Sequence, residues 1–543
     1  MTGIAHRQYF IARFIRMMET GFIREVFSMK LRPALMFQDG MILQRNRQIP
    51  VWGTAAPCAS VTLAMQGKSF DSFADAKGNW MILCGPFDVS VSEEVVLSSG
   101  DEMITLSDVM VGDVYLAGGQ SNMEFHMRYD ANMAEEAAGG GNPLIRLFDY
   151  PRVSYAEQIH QADYGKQYGF WRRCTPENLE RFPAVAYYFA KELTRKYQVP
   201  VGILGCNWGA TRACAWMPED EIRACGGQPW LDDYARETEK LDPAVYDRRF
   251  MENPGSWKTD LLASPITDLM MFGCTQAELE QKMMEMGVDL SQISIADMLP
   301  PMGPKHENRP SGLYHAMLEQ LAPYGLRGFL WYQGEADADA HPEVYQTLFP
   351  GLIRSWRKLW QDDTLPFLFV QLAPLEEMFG NPATNFPVIR AAQQHAADTV
   401  PFTGMAVTTD IGMQHDIHPK EKKPIGQRLA LLAERLIYEE NVLCEAPVLQ
   451  ECQTENGRVV LRFANAGEGL AIKGTCVNGL RLYDGKTELH VQEMRAEVQG
   501  DLLILYADAF RKGMLLHPAI AMTPWHQVNL YNSAGIPVRP CEL

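Results

Sequence analysis

The stretch Gly118-Gly119-Gln120-Ser121-Asn122-Met123, directly after the apolar run Val114-Tyr115-Leu116-Ala117, constrains this chain more than any other. An apolar run ending in paired glycines reads as a buried strand entering a tight turn, because glycine tolerates the cramped backbone such a turn needs. The turn leaves Ser121 exposed at the carboxyl end of the strand. The N–H groups that open the following helix face an incoming anion. Ser121 is then either an exposed nucleophile or a helix cap, and the rest of the chain has to decide.

The middle of the chain alternates apolar runs with helical periodicity. Candidate core strands are Val114–Ala117, Val201–Leu204, Gly328–Tyr332, Phe367–Gln371 and Gly404–Thr408. Between them Val185, Phe189 and Leu193 share one helical face, as do Ile425, Leu429, Leu432 and Leu436. This rhythm predicts an α/β fold with a parallel sheet, helices on both faces, and ligands at the carboxyl ends of the strands. Short alternating runs before residue 109 and after residue 440 predict flanking N- and C-terminal β domains. A stretch rich in Glu, Asp, Met and Pro, with a helix around Ala277–Met286, interrupts the core and reads as a lid over its active edge.

A length of 543 residues exceeds one core and suggests three or four units at roughly 150 residues each. The expected division is an extension at 1–28, a β-rich domain at 29–108, core at 109–217 and 311–440, an insertion at 218–310, and a β-rich domain at 441–543. The formal charge of −18 repels phosphate backbones and anionic lipid, so neither nucleic acid nor membrane is expected as a partner. No apolar run reaches the ~18–20 residues that span a bilayer. The eleven cysteines are scattered without CxxC pairs, which predicts reduced thiols, no zinc and a cytoplasmic location. Residues 1–28 carry Glu19 and Glu25 where a signal peptide needs an apolar core. They read as an amphipathic helix, either an appendage or the product of a mis-assigned start.

A serine hydroxyl needs a base, and two histidines, His415 and His418, follow the last core strand. A metal reading of His415, Asp416, His418, Asp410, Asp337, Asp339 and His341 lacks any paired-ligand helix spacing and leaves the glycine turn unexplained. No metal and no cofactor are therefore expected.

Gly119-Gln120-Ser121-Asn122-Met123, Trp331-Tyr332-Gln333-Gly334-Glu335 and Asp416-Ile417-His418-Pro419 resemble, in order and approximate spacing, the sialate O-acetylesterase family of SGNH/GDSL hydrolases. Val51-Trp52-Gly53-Thr54, Asn207-Trp208-Gly209-Ala210-Thr211, Leu313-Tyr314-His315-Ala316-Met317 and Asn529-Leu530-Tyr531-Asn532 extend the resemblance from about Met29 to the C-terminus. It implies an SGNH-type sheet and a serine esterase that deacetylates carbohydrate, with O-acetylated sialic acid as substrate. Acetylated xylan or another glycan is the rival, and a non-catalytic carbohydrate-binding protein is the alternative from another class.

The same resemblance implies Ser121 as nucleophile, His418 as base, and an oxyanion hole from the N–H groups of Ser121 and Gly209 with the Gln333 amide. Many SGNH enzymes place an Asp three residues before the histidine, but His415 stands there. Asp416, two residues before the histidine and in the same loop, is the expected orienting carboxylate; Asp410, or a dyad whose imidazole is held by a backbone carbonyl, is the alternative. Glu335 is expected to support Gln333 or the Ser121 turn. The family's Gly-Gly-Thr-Pro is Gly209-Ala210-Thr211-Arg212 here, so Arg212, with Arg309, is a candidate clamp for a sialate carboxylate.

Overall fold

The glycine turn closes a strand of eighteen residues, β1 (Glu102–Gly119), in a computed structural model that describes residues 30–155, 157–158, 167–252, 261–288, 301–491 and 494–543. At ~3.3 Å per residue this strand is roughly 60 Å long. Its start alternates exposed and buried residues and pairs antiparallel with Ser90–Ser99 in the N-terminal β domain. From Val109 onward every residue is buried, as a strand covered on both faces requires. The boundary expected at 108/109 thus falls inside one strand, and no linker separates the two units. The extension expected at 1–28 lies outside the described residues.

Six further strands complete the central sheet. They are β2 (Asn142–Asp149), β3 (Trp171–Cys174), β4 (Val201–Asn207), β5 (Gly328–Tyr332), β6 (Phe367–Val370) and β7 (Thr403–Ala406), ordered β3-β2-β4-β1-β5-β6-β7. All pairings are parallel except β3 with β2. The parallel sheet expected from sequence is present, and one antiparallel edge strand makes the whole sheet mixed. The two strands that sequence reading missed carry arginines where an apolar run was sought. Arg146 in β2 is buried against Asp108 at 2.8 Å, and β3 is the edge strand Trp171-Arg172-Arg173-Cys174.

Alternation along β1 sorts the core into two layers. Tyr115 and Ala117 face α1 (Ala184–Tyr197) and α4 (Lys423–Leu436), where Val185, Phe189, Leu193, Leu429 and Leu432 pack together. Val114 and Leu116 face α2 (Tyr345–Trp360) and α3 (Phe386–Thr399) through Leu348, Leu352, Trp356 and Ile389. That second layer is continuous with Ile49, Val51 and Val61 of the N-terminal domain, whereas the C-terminal β domain buries a core of its own around Leu461, Leu503 and Phe510.

Within the inserted region, the helix Pro265–Phe272 docks beside the loop that follows β7. Asp268 accepts from Arg128 and Tyr129 at 2.7 Å each, and Lys420 Nζ donates to the Met271 carbonyl at 2.6 Å. Among the described residues no helix is long and apolar enough to cross a membrane. All eleven cysteines are free.

Candidate active site

The turn after β1 has room for glycine and little else. Gly119 sits at φ +136°, and a Cβ there would lie 2.2 Å from the Tyr332 carbonyl. A Cβ on Gly118 would lie 2.7 Å from the Trp356 ring. The turn is tied to both neighbouring strand ends, because Gln120 N–H donates to Tyr332 O and Trp208 N–H to Gly119 O, each at 3.0 Å. Ser121 then opens the short helix Ser121–Glu124, so its own N–H has no intrahelical partner.

Facing it, His418 Nε2 lies 2.9 Å from Ser121 Oγ. Burial, reinforced by the nearby Lys422 and Lys420 ammoniums, holds the His418 imidazole well below its usual pKa and so in its neutral form. A neutral ring hydrogen-bonded to a serine hydroxyl is able to take that proton. His418 Nδ1 is 3.7 Å from Asp416 Oδ1, beyond hydrogen-bond distance. That oxygen instead accepts the backbone N–H of His418 at 2.8 Å, while Asp416 Oδ2 accepts from Lys420 Nζ at 2.8 Å. Asp416 therefore shapes the loop under the ring and does not bond the ring. His415 is exposed and paired with Glu377 at 2.8 Å, and Asp410 is paired with Arg428 at 2.7 Å. The structure brings neither of them to Ser121.

The expected oxyanion donors are placed differently from one another. A Cβ built on Gly209 would lie 3.3 Å from the Ser121 Cβ, so Gly209 adjoins the nucleophile. Its N–H, however, donates to Glu124 Oε2 at 2.9 Å. Gln333 is fully buried with both ends of its amide engaged. Its Nε2 donates to Thr211 O at 3.1 Å and to Asp337 Oδ2 at 2.5 Å, and its Oε1 accepts from Tyr345 OH at 3.0 Å. The side chain is held between α2 and the Gly209 loop, with both amide hydrogens engaged in this arrangement.

Glu335 accepts from Asn122 Nδ2 at 2.6 Å, next to the Ser121 turn as expected. The same Asn122 amide donates to the Ile417 carbonyl at 2.9 Å and accepts from Lys422 Nζ at 2.5 Å. Arg212 stacks 4.6 Å over the Trp230 ring, and Arg309 is turned to the Ser154 carbonyl at 3.3 Å. Asn308 ties their loops together by accepting from Arg212 N–H and donating to Ala210 O, and each guanidinium has a partner of its own.

Sequence reading missed Asn122, Lys422, Glu124 and Arg152. Glu124 is buried beside Arg152 at 3.5 Å, and burial raises its pKa. Asn122 and Glu124 lie inside or next to the serine motif and were legible as neighbours of the nucleophile. Lys422 sits in the run Lys420-Glu421-Lys422-Lys423, which looks like a solvated surface. Among the described residues no group of three or more His, Cys, Asp or Glu is arranged to hold a metal ion.

Residues 303–434 match the family model "Carbohydrate esterase, sialic acid-specific acetylesterase". The chain is 26% identical to the sialate O-acetylesterase of Mus musculus over 462 residues, 78% of this chain and 77% of the mouse protein. It is 28% identical to that of Rattus norvegicus over 444 residues, 75% of this chain and 74% of the rat protein. The crystal structure of a carbohydrate acetylesterase from Xanthomonas citri superposes with a TM-score of 0.69 at 27% identity, covering 94% of this chain and 99% of that one.

Proposed function

We propose that this chain, which belongs to the sialate O-acetylesterase family, is a serine esterase that removes O-acetyl groups from carbohydrate. The observation that carries the reading is the 2.9 Å contact between Ser121 Oγ and a buried, neutral His418 at the carboxyl edge of a mixed α/β sheet. Ser121 Oγ attacks the acetyl carbonyl as His418 Nε2 takes the hydroxyl proton. The bond from the carbonyl carbon to the sugar oxygen then breaks, and the proton passes to that oxygen. Water attacks the acetyl-enzyme through the same base, releasing acetate. The developing oxyanion is met by Ser121 N–H and, once Glu124 yields it, by Gly209 N–H.

O-acetylated sialic acid is the favoured substrate, supported by the family model and by the names of the mouse and rat relatives. Acetylated xylan or another neutral glycan is the second reading, favoured by the separate engagement of Arg212 and Arg309. Acetate release from 9-O-acetylated sialic acid and from acetylated xylan tests both, with p-nitrophenyl acetate as a general ester. Turnover of none of the three would leave a binding protein and end the esterase reading.

A further inference from the structure

We propose that Lys422 is a positioning residue for the Ser121–His418 pair, joining the turn that carries the nucleophile to the loop that carries the base and keeping the imidazole unprotonated. The proposal rests on the reading of Ser121 as nucleophile and His418 as base. Lys422 is 0% exposed, yet no step of the ester hydrolysis uses it. Its ammonium lies 4.4 Å from the centre of the Phe125 ring and 5.5 Å from that of Tyr332, and its Nζ donates to Asn122 Oδ1 at 2.5 Å.

That single bond settles which way the Asn122 amide faces. With the oxygen end held by a cation, the Nδ2 end must face acceptors, and it finds two, Glu335 Oε1 and the carbonyl of Ile417. Asn122 follows Ser121 in sequence and Ile417 precedes His418. The amide is therefore a bolt between the two halves of the catalytic pair. Without the ammonium a flipped amide presents its oxygen to the Glu335 carboxylate and the Ile417 carbonyl, and the bolt is released.

The second action is electrostatic. The charged groups around His418 are Lys420, Lys422 and Asp416 on its own loop, Glu335 across Asn122 in the loop after β5, and Asp130, which accepts the Lys422 backbone N–H at 3.0 Å. Lys422 and Lys420 oppose protonation of the imidazole. Burial lowers Lys422 itself to about 7, so it is charged in acid, where His418 would otherwise pick up a proton.

The test is the pH dependence of covalent labelling by a fluorophosphonate. In that reaction Ser121 Oγ attacks phosphorus, fluoride leaves and the hydroxyl proton passes to His418, so no sugar is needed. Lys422→Met keeps an unbranched side chain and removes the charge and the donor. Because it leaves Glu335 buried opposite no cation, Lys422→Met/Glu335→Gln is measured beside it. The expected result is a plateau labelling rate at least about tenfold lower in both variants and, in Lys422→Met, an acid midpoint about one pH unit higher, as loss of one nearby like charge dictates; the double variant, which loses an anion as well, should shift less.

A folded Lys422→Met with a wild-type midpoint overturns the proposal, even if its plateau falls, because a merely structural lysine would leave the midpoint alone; where only the double variant folds, a wild-type plateau overturns it. Failure of both variants to fold overturns it as well, by making Lys422 a support of the fold. Wild-type labelling at Ser121 without hydrolysis of any acetylated sugar removes the carbohydrate reading and leaves this one standing. Absence of labelling at Ser121 removes both.

Discussion

Ser121 and His418, 297 residues apart in the chain, reach their 2.9 Å contact from opposite kinds of support. The serine is placed by backbone, through a strand buried on both faces, two glycines with no room for a Cβ, and main-chain bonds to Tyr332 and Trp208. The histidine is placed by side chains, because after β7 its loop forms no regular element before α4 and is held by Asp416, Asn122 and Lys420. A backbone-built half tolerates no change of main-chain geometry, while a half built from several polar bonds loses them one at a time. The comparison predicts abrupt failure on one side and graded failure on the other.

The largest effect is expected from Gly119→Ala. Its Cβ would lie 2.2 Å from a backbone carbonyl, at a φ of +136° that alanine does not adopt without strain. A cost above about 4 kcal/mol is a large part of the stability of most domains, so folded, soluble protein should be scarce. A thermal melt of Gly119→Ala matching wild type would break the claim that backbone alone holds the serine.

Next come Ser121→Ala and His418→Ala, each expected to lower kcat on p-nitrophenyl acetate by roughly 10³-fold or more while the protein stays folded. The double variant should be no worse than either single one, since the two act as a unit. A folded Ser121→Ala retaining a tenth of the activity would remove the nucleophile, and with it the reason to compare the halves.

The same contrast decides what was legible in the sequence. The Ser121 turn was legible because its determinants are local: an apolar run, two glycines and a serine within ten residues. Core strands such as Gly328–Tyr332 and the apolar faces of α1 and α4 were legible for the same reason. The bonds that Gln333 makes were not legible, because its partners Thr211, Asp337 and Tyr345 come from three segments, and which side of the strand end an amide turns to is set by packing against α2. Lys422 was invisible because a buried lysine differs from a solvated one only through its surroundings, here Phe125, Tyr332 and Asn122. The antiparallel edge strand β3 was missed because an edge needs no apolar run.

Asp416→Asn sharpens the comparison on the histidine side. A carboxylate that fixes the base's tautomer is worth about 10⁴-fold in kcat. Asp416 instead accepts the His418 main-chain N–H at 2.8 Å and lies 3.7 Å from the ring nitrogen. An asparagine keeps that acceptor and loses only the charge facing Lys420. The expected loss is about tenfold, read as kcat at neutral pH. A loss of 10³-fold or more would show the carboxylate on Nδ1 during turnover and give the base a single dominant support.

The smallest effect is expected from His415→Ala, and its size matters because His415 stands where many SGNH enzymes carry their acid. The side chain is 62% exposed and its ring meets Glu377 at 2.8 Å. Exposed ion pairs are worth between zero and about 1 kcal/mol, because water solvates both partners nearly as well as they solvate each other. None of the bonds that hold His418, from its own N–H to Asp416 or from Asn122 to Ile417 O, involves His415. Activity should therefore stay within about twofold of wild type, with an unchanged acid limb in the pH profile. A His415→Ala enzyme slower than His418→Ala would transfer the base to His415. It would also place the working loop in a different arrangement, with Asp416, Lys420 and Lys422 no longer gathered around the proton acceptor.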